Sequence, residues 1–362
     1  MSRFFCFDEL LKGEDLDVEV ERRCLVDAKR EVSLSARLKA TGPRSSTFQE
    51  KHRGFFVYPA LGVLEIAEAE ILCTGVVKSR CGSYVASKNQ FSEEQLTNFS
   101  YSPVGIPKRV SDSVVPLLRP GDHIYGHWLV DILPRLWLLK QVYDFKELKF
   151  LVKESVPAFA LRLLSAVGVG SNQILKWDAK SGGSIIAKRV VMPTNLRYGQ
   201  VIHPRLAEYA SWLKGQIRPS SRGLAGDKKV YLSRGKWRKT SNATRDLANS
   251  SCVEEMYIAN GYKVIYPEEY SLEEQVRIFH DSDAVAGEEG SALHNNIFMR
   301  EGTLVTCFRG ELNHSLIQST LCSAMSQRSE HAFGKVAEGV AIPSRTSPYS
   351  VDLATIRELI SS

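Results

Sequence analysis

The chain has 362 residues, of which 43% are hydrophobic and 24% are charged, and its formal net charge is +6. This composition is that of a globular protein with enough apolar residues for two cores, so it excludes a chain that is disordered in bulk. Lysines and arginines are scattered along the sequence, whereas nucleic-acid-binding proteins usually carry a denser basic stripe. The charge balance therefore favours an anionic small ligand or an anionic surface over a nucleic acid.

The seven cysteines are odd in number and form no Cys-x-x-Cys pair, which argues against a disulfide framework and against a zinc site. Cysteines used in this way fit a reducing compartment, so we expect a cytoplasmic protein. The apolar patch that follows Met1 is too short for a secretory signal or a membrane span. The sequence thus predicts no transmembrane segment and leaves peripheral association with a membrane open.

In the first third of the chain, short apolar runs are broken by Gly, Pro and Ser, which predicts short strands and loops up to about residue 120. Beyond residue 124 the pattern changes to longer elements. The predicted helices lie at 124–142, 157–167 and 204–217, and the predicted strands lie at 149–153, 174–177 and 187–192. Helices that alternate with strands in this way indicate a parallel α/β layer.

Residues 218–228 are polar and rich in Gly, Pro and Ser, and we interpret them as a linker. A second α/β run follows, with strands predicted at 229–233, 263–266, 284–286 and 303–308 and helices at 252–260, from Ser271, at 291–299 and at 351–360. Ser271 and Glu274 form a capping-box pattern. The sequence predicts an N-terminal lobe at 1–218 and a C-terminal lobe at 229–362, with the last helix a candidate to pack back on the first lobe.

The predicted helix after residue 123 carries four polar residues at a spacing of four, namely His123, His127, Asp131 and Arg135. Neighbours at this spacing share one helix face. The other positions are almost all apolar, which indicates a buried helix, and burying these polar groups is costly unless they pair or line a cavity. They are either a structural network of His127, Asp131 and Arg135, or the catalytic groups of a site. We favour the second interpretation.

The second candidate site begins with a turn, Gly287-Glu-Glu-Gly-Ser, between a predicted strand and a predicted helix. Ser291 is a natural N-cap, and the dipole of such a helix favours an anion. The two glutamates would repel phosphate, but a carboxylate there can accept hydrogen bonds from ribose or sugar hydroxyls. A plain strand–helix turn is the competing interpretation.

Basic residues follow the first strand of the second α/β run, and they include Arg234, Arg238 and Arg245. Loops at the carboxyl ends of parallel strands are where open α/β sheets bind ligands. Arginine suits a diphosphate there because it donates paired, charge-assisted hydrogen bonds. An exposed basic loop without a ligand is the alternative, and for Lys239 we favour that alternative.

Several nucleotide and hydrolase motifs are missing from the sequence, including Gly-x-Gly-x-x-Gly, a P-loop and a Gly-x-Ser-x-Gly elbow. Asp281-Ser-Asp283 has the form of a metal-binding Asp-x-Asp pattern, but it precedes a predicted strand rather than following one. We therefore expect these aspartates to end a helix. The sequence predicts no catalytic metal and no cofactor.

Four segments occur in an order that resembles glycosyltransferase family 61: Tyr125-Gly-His-Trp-Leu-Val-Asp-Ile-Leu-Pro-Arg-Leu, Val230-Tyr-Leu-Ser-Arg with Arg245 and Asn249 beyond, Pro267-Glu-Glu-Tyr-Ser-Leu-Glu-Glu-Gln, and Gly287-x-x-Gly-Ser-Ala-Leu-His-Asn-Asn-Ile-Phe. Together they cover roughly residues 120–310. The resemblance implies two Rossmann-like lobes of the GT-B type and an inverting, metal-independent transferase, of the kind found in bacterial capsular or surface-polysaccharide synthesis. Many members of the family carry Gly-x-His-Gly-Ala-Gly at this glycine turn. This chain departs from that form at Glu288-Glu289, since its turn reads Gly287-Glu-Glu-Gly-Ser-Ala.

The reaction that the resemblance implies moves a sugar from a nucleotide-sugar donor to a glycan acceptor, with the nucleotide-sugar as substrate. We expect the first lobe to bind the acceptor and the second lobe to bind the donor. The catalytic candidates are Asp131, His127 and His123; we favour Asp131 as base with His127 orienting it, and the reverse is the alternative. The donor-binding candidates are Arg234, Arg238, Arg245, Glu288, Glu289, Gly290, Ser291 and Asn295. The alternatives are a non-catalytic nucleotide- or sugar-binding protein and another nucleotide-dependent transferase.

Overall fold

The computed structural model describes residues 4–6, 18, 20–34, 38–86, 105–178, 183–217, 228–236 and 245–361. The chain divides into two compact units, and each is discontinuous in sequence. The first unit comprises Met1–Glu31 and Val57–Gly199, and the second comprises Val32–Phe56 and Gln200–Ser362. The boundaries between the units lie at residues 31–32, 56–57 and 199–200. Of the predicted linker, residues 218–227 lie outside the described residues.

The strands, in chain order, are β1 (Phe4–Cys6), β2 (Val20–Asp27), β3 (Arg30–Ser33), β4 (Leu38–Thr41), β5 (Phe55–Tyr58), β6 (Leu61–Ile71), β7 (Val77–Lys78), β8 (Tyr84–Ala86), β9 (Lys108–Pro116), β10 (Leu148–Lys153), β11 (Ile174–Trp177), β12 (Ile185–Pro193), β13 (Arg197–Tyr198), β14 (Val201–Ile202), β15 (Lys229–Leu232), β16 (Lys263–Ile265), β17 (Ala284–Glu288), β18 (Leu304–Gly310), β19 (Arg328–Val336) and β20 (Tyr349–Ser350). The α-helices outside the site described below are α1 (Ser45–His52), α2 (Ala158–Ala166), α3 (Leu206–Gln216), α4 (Ser250–Ala259), α5 (Leu272–Asp281), α6 (Ile317–Ala324) and α7 (Leu353–Ile360).

The sheet of the first unit is mixed: it contains the parallel layer predicted beyond residue 124, together with antiparallel strands from the first third of the chain. Its order is β1-β8-β7-β6-β12-β9-β10-β11, with β2 beside β6. The strands β12, β9, β10 and β11 pair parallel with one another in that order, but β6 is antiparallel to β12, β2 and β7. The antiparallel part comes from the segment before residue 120, where short turns join β6, β7 and β8 and so require antiparallel pairing.

The sheet of the second unit has the order β16-β15-β17-β18-β19-β20, with β4 beside β19. All of its pairs are parallel except the one between β19 and β20. The strands β15, β17 and β18 are buried over most of their length, as expected for strands covered on both faces. This sheet brings the ends of β15 and β17 together, since Leu232 pairs with Gly287.

Two helices, the last of each predicted lobe, belong to the second unit. The helix α3 lies in the second unit, although its residues were predicted to close the first lobe. The helix α7 packs on the core of the second unit, where Ile356 and Leu359 lie in one buried cluster with Val253 and Tyr257 of α4. Where each of these helices packs depends on apolar faces that meet only in the folded chain.

The start of α5 confirms the capping box in atomic detail. The Oγ atom of Ser271 accepts a hydrogen bond from the backbone N–H of Glu274 at 3.2 Å, and the Glu274 carboxylate accepts one from the backbone N–H of Ser271 at 2.7 Å. These reciprocal bonds satisfy two N–H groups that the first helical turn cannot pair. The helix therefore begins where the sequence predicts.

Candidate functional site

The predicted helix with the polar stripe is present, but it is interrupted in the middle. It consists of three consecutive segments, Tyr125–His127, the π-helical Trp128–Ile132 and Leu133–Leu139, which we call the central helix. Pro134 has no N–H to donate to the carbonyl of Val130, so the α-helical bonding pattern cannot continue through this turn. The wider π turn lies directly before the proline, and such turns occur often at functional sites.

Asp131 lies in the π turn and is 1% exposed. Its carboxylate contacts Arg119 Nη1 at 2.5 Å, Arg197 Nε at 2.5 Å and His127 Nδ1 at 2.6 Å. Burial alone would raise the pKa of Asp131, but Arg197, Arg119 and the hydrogen bond from His127 outweigh it and hold the pKa well below its ordinary value. We call these four residues the Asp131 cluster, and its carboxylate is ionised.

Arg135 forms no ion pair with Asp131, so the structural network of His127, Asp131 and Arg135 that the sequence offered as the alternative is not present as such. Its guanidinium donates to the backbone carbonyls of Pro116 at 2.9 Å and Pro193 at 3.4 Å. The π turn changes the angular spacing between Asp131 and Arg135, so a four-residue separation no longer guarantees a shared face. Arg135 instead ties the central helix to the ends of β9 and β12.

The cations that do bind Asp131 were not predicted as site residues. Arg119 follows β9, and Arg197 begins β13, so they lie far from Asp131 in sequence and meet it through the fold. Both side chains are buried. The only sequence signal was an arginine just after each of two apolar strands, β9 and β12, which is a weak signal on its own.

The two histidines of the stripe have different environments. His123 lies in the turn before the central helix, is exposed and lines a cavity, so it is not on the helix as predicted. The His127 side chain is 30% exposed. A Cβ atom at Gly121 would lie 2.7 Å from Cδ2 of His127 and 3.0 Å from Nε2, and Gly121 has a φ of +80°. A glycine there keeps the space beside Nε2 free of a side chain.

In the second unit, the predicted arginines and glutamates meet at the carboxyl edge of the sheet. Arg234 Nη1 lies 3.8 Å from Glu288 Oε2, and that carboxylate also accepts a hydrogen bond from the backbone N–H of Leu247 at 3.0 Å. Arg245 Nη1 lies 2.9 Å from Glu289 Oε2. We call Arg234, Arg245, Glu288 and Glu289 the Arg–Glu cluster, in which each carboxylate has an arginine partner.

Glu289 is ionised within this cluster. Burial opposes its charge, but Arg309, Arg245 and a hydrogen bond from Asn313 at 2.6 Å lower its pKa below the ordinary value. Arg309 and Asn313 were not predicted as site residues. Arg309 lies near the end of β18, the neighbour of β17. Because ligands bind at the carboxyl edge of such a sheet, this position could have indicated Arg309 as a site residue from the sequence.

The residues after the acidic turn differ from the prediction. Leu293–Phe298 form a six-residue 3-10 helix whose N-cap is Ala292, with no side-chain cap, so Ser291 does not cap an α-helix. Asn295 is fully buried and donates a hydrogen bond to Gln275 at 3.2 Å. Gly290 has open space where a Cβ would lie. Arg238 and Lys239 lie outside the described residues.

Asp281 and Asp283 occupy the positions that the sequence suggested. Asp281 is the last residue of α5 and pairs with Arg277, and the exposed Asp283 pairs with Arg300 before β17. Within the described ranges, no three His, Cys, Asp or Glu side chains cluster so as to hold a metal ion. Among the described helices, none has the length and apolar character needed to cross a membrane.

Comparison with known families gives the chain its class. The family model described as Glycosyltransferase 61 matches residues 125–306, which is half of the chain, from the start of the central helix into β18. The protein is therefore a glycosyltransferase enzyme. It belongs to glycosyltransferase family 61. No curated protein matches it.

The Asp131 cluster predicts a specific pH dependence of stability. Asp131→Asn removes a buried carboxylate from two buried arginines, which we expect to cost about 3–5 kcal/mol. The lowered pKa of Asp131 means that its stabilisation is complete above the unfolded pKa of about 3.9 and declines as the pH falls below it. The gap in unfolding free energy between wild type and variant should therefore shrink by about 1.4 kcal/mol per pH unit below about pH 4.

Denaturant unfolding measured from pH 3 to pH 7 checks this. Asp144→Asn is the matched control, since Asp144 is exposed and caps only a short 3-10 helix through the N–H of Lys146. A gap that stays constant with pH would contradict an ionised Asp131.

Proposed function

We propose that this family 61 enzyme is an inverting, metal-independent glycosyltransferase. In this proposal it moves a sugar from a nucleotide-sugar to a glycan hydroxyl, has two Rossmann-like lobes of the GT-B type, and acts in the cytoplasm in surface-polysaccharide synthesis. The parallel sheet and helices of the second unit support a Rossmann-like lobe. The observation that carries the proposal is the His127–Asp131 pair.

In this pair, the structure favours His127 as the base and Asp131 as the residue that orients it. Asp131 contacts two arginines and one histidine, and its pKa lies well below the ordinary value, so it is a weak proton acceptor. Nδ1–H of His127 donates a hydrogen bond to this carboxylate, which leaves Nε2 as the hydrogen-bond acceptor of the ring. The 30% exposure of His127 allows a hydroxyl to reach that atom.

The proposed reaction is a single displacement. Nε2 of His127 takes the proton of the acceptor hydroxyl as its oxygen bonds to the anomeric carbon. The bond between that carbon and the leaving diphosphate breaks on the opposite face, so the configuration inverts. The diphosphate leaves with the bonding electron pair, and cationic groups stabilise its developing charge.

The Arg–Glu cluster supplies groups suited to that last role. Arg245 is 37% exposed, and its Nε atom is buried without a hydrogen-bond partner among the described residues. Glu289 fixes the opposite side of the same guanidinium at 2.9 Å. Arg245 can therefore keep its orientation while it donates to a diphosphate, and a carboxylate of the cluster can accept from a ribose or sugar hydroxyl.

The first test is turnover of a panel of nucleotide-sugars by purified protein, with water or glycans as acceptors. We expect His127→Ala to lower turnover by about 10²-fold or more, as loss of a general base does. Its melting temperature should fall less than that of Asp131→Asn, because Asp131 keeps both arginines. His280→Ala is the control, since His280 only contacts Lys214. A fully active His127→Ala enzyme would exclude His127 as the base.

Removal of divalent metal tests a second part of the proposal. Because cationic side chains are assigned to the leaving diphosphate, we expect turnover to survive dialysis against EDTA. Loss of turnover on chelation, followed by recovery with Mn²⁺ or Mg²⁺, would show that the enzyme depends on a metal.

The donor site is tested by binding of a nucleoside diphosphate, measured by calorimetry. Arg234→Ala and Arg245→Ala should each weaken binding by about 1.5–3 kcal/mol, the range for a hydrogen bond to a charged group. Lys236→Ala is the control from the same segment, because Lys236 is exposed and pairs with Glu269. Unchanged affinity in both arginine variants would place the donor elsewhere.

A further inference from the structure

The first unit contains a cavity of about 260 Å³ that the proposed chemistry does not use. It lies at the carboxyl ends of the parallel strands β9 and β10, where Leu117 follows one strand and Val152–Lys153 end the other. Asp122 and His123, from the turn before the central helix, complete its polar side. The cavity is therefore at the edge of a parallel sheet where ligands commonly bind.

The polar side of this cavity is a fixed ion pair. Lys153 Nζ lies 2.9 Å from Oδ1 and 2.8 Å from Oδ2 of Asp122. The turn is held in place because the indole Nε1 of Trp128 donates to the backbone carbonyl of Asp122 at 2.7 Å. Gly121 of the same turn lies beside the ring of His127, since a Cβ atom there would fall 2.7 Å from Cδ2. The cavity and the proposed base are thus built on one short segment.

The size of the cavity limits what it can hold. Pockets for drug-sized ligands span roughly 300–1,000 Å³, so this cavity is too small for a nucleoside diphosphate with its sugar. It is large enough for one sugar ring. Its apolar lining, which includes Trp128, Val156 and Pro157, suits the C–H faces of such a ring.

The charged groups of the cavity indicate whether it suits a neutral or an anionic sugar. A carboxylate accepts hydrogen bonds and an ammonium group donates them, so adjacent hydroxyls of a sugar can bind to both at once. Asp122 and Lys153 neutralise each other, and no other lysine or arginine is among the residues that line the cavity, so no unpaired lysine or arginine charge is available to attract an anionic sugar. The pair therefore matches a neutral ring better than a uronic acid.

We propose that this cavity is a subsite for one neutral pyranose unit of the acceptor glycan, with Asp122 and Lys153 as the residues that determine its specificity. One hydroxyl of the ring donates to Asp122, and a neighbouring hydroxyl accepts from Lys153. The assignment to the acceptor rests on the proposed transferase function, whereas the binding of a pyranose does not depend on it.

Saturation-transfer NMR on the full chain tests binding directly. The probes are the methyl glycosides of glucose, galactose, mannose and xylose, with methyl glucuronoside as the anionic comparison. We expect at least one neutral glycoside to bind. Asp122→Asn and Lys153→Met should each weaken that binding by tenfold or more. Binding of the glucuronoside alone, or of no probe, would overturn the proposal.

Two further variants separate the site from effects on folding. Ser155 lines the cavity and is exposed, so Ser155→Trp should fill it from the rim and abolish binding without disturbing the core. Glu154→Gln is the matched control, because Glu154 follows Lys153 directly and its exposed side chain pairs with Lys176. Unchanged binding in Ser155→Trp would show that the pyranose binds elsewhere.

Donor hydrolysis distinguishes this proposal from the proposed function. If the variants lose pyranose binding and still hydrolyse the nucleotide-sugar with water, both proposals are supported. If wild type turns over the donor but the variants bind pyranosides normally, only the subsite is wrong. If pyranosides bind in the cavity and no nucleotide-sugar is turned over, the sugar site stands and the proposed function fails.

Discussion

The buried carboxylate of Asp131 is the constraint on which the first unit depends. Moving an ion from water into a protein interior costs several kcal/mol, and that cost is recovered only when opposite charges are placed with good geometry. Arg119 and Arg197 supply those charges from two separate segments of the chain, at 2.5 Å each. The central helix, the loop after β9 and the start of β13 must therefore fold together. The same carboxylate fixes the ring of His127.

The two clusters pair their charges in different ways. In the Asp131 cluster, the arginines keep a carboxylate ionised so that it can orient an imidazole. In the Arg–Glu cluster, the carboxylates of Glu288 and Glu289 hold arginines whose sequence positions suggested a diphosphate. The two glutamates were difficult to reconcile with an anionic ligand in the sequence alone. Their arginine partners remove that difficulty, because the net charge of the cluster is no longer negative.

Several sequence predictions were confirmed because they depend on short-range rules. The capping box at Ser271 satisfies N–H groups within one helical turn, and the strands β15, β16 and β17 are apolar runs close to their predicted positions. The predictions that were wrong needed long-range information. Nothing local shows that β6 pairs antiparallel with β12 or that α7 packs against α4. The short 3-10 helix at Leu293 also has the apolar content of an α-helix and differs only in its backbone pairing.

The sequence by itself determined the family, the α/β class and the position of the central helix with His127 and Asp131. It could do so because periodicity, caps and ordered motifs are properties of neighbouring residues. The tertiary structure alone decided which cations keep Asp131 ionised and which carbonyl groups Arg135 binds. It also decided that Asp122 and Lys153 form one side of a cavity. These contacts join residues that are 12 to 66 positions apart. Whether such charges meet depends on strand order and loop path, which the local pattern of residues does not encode.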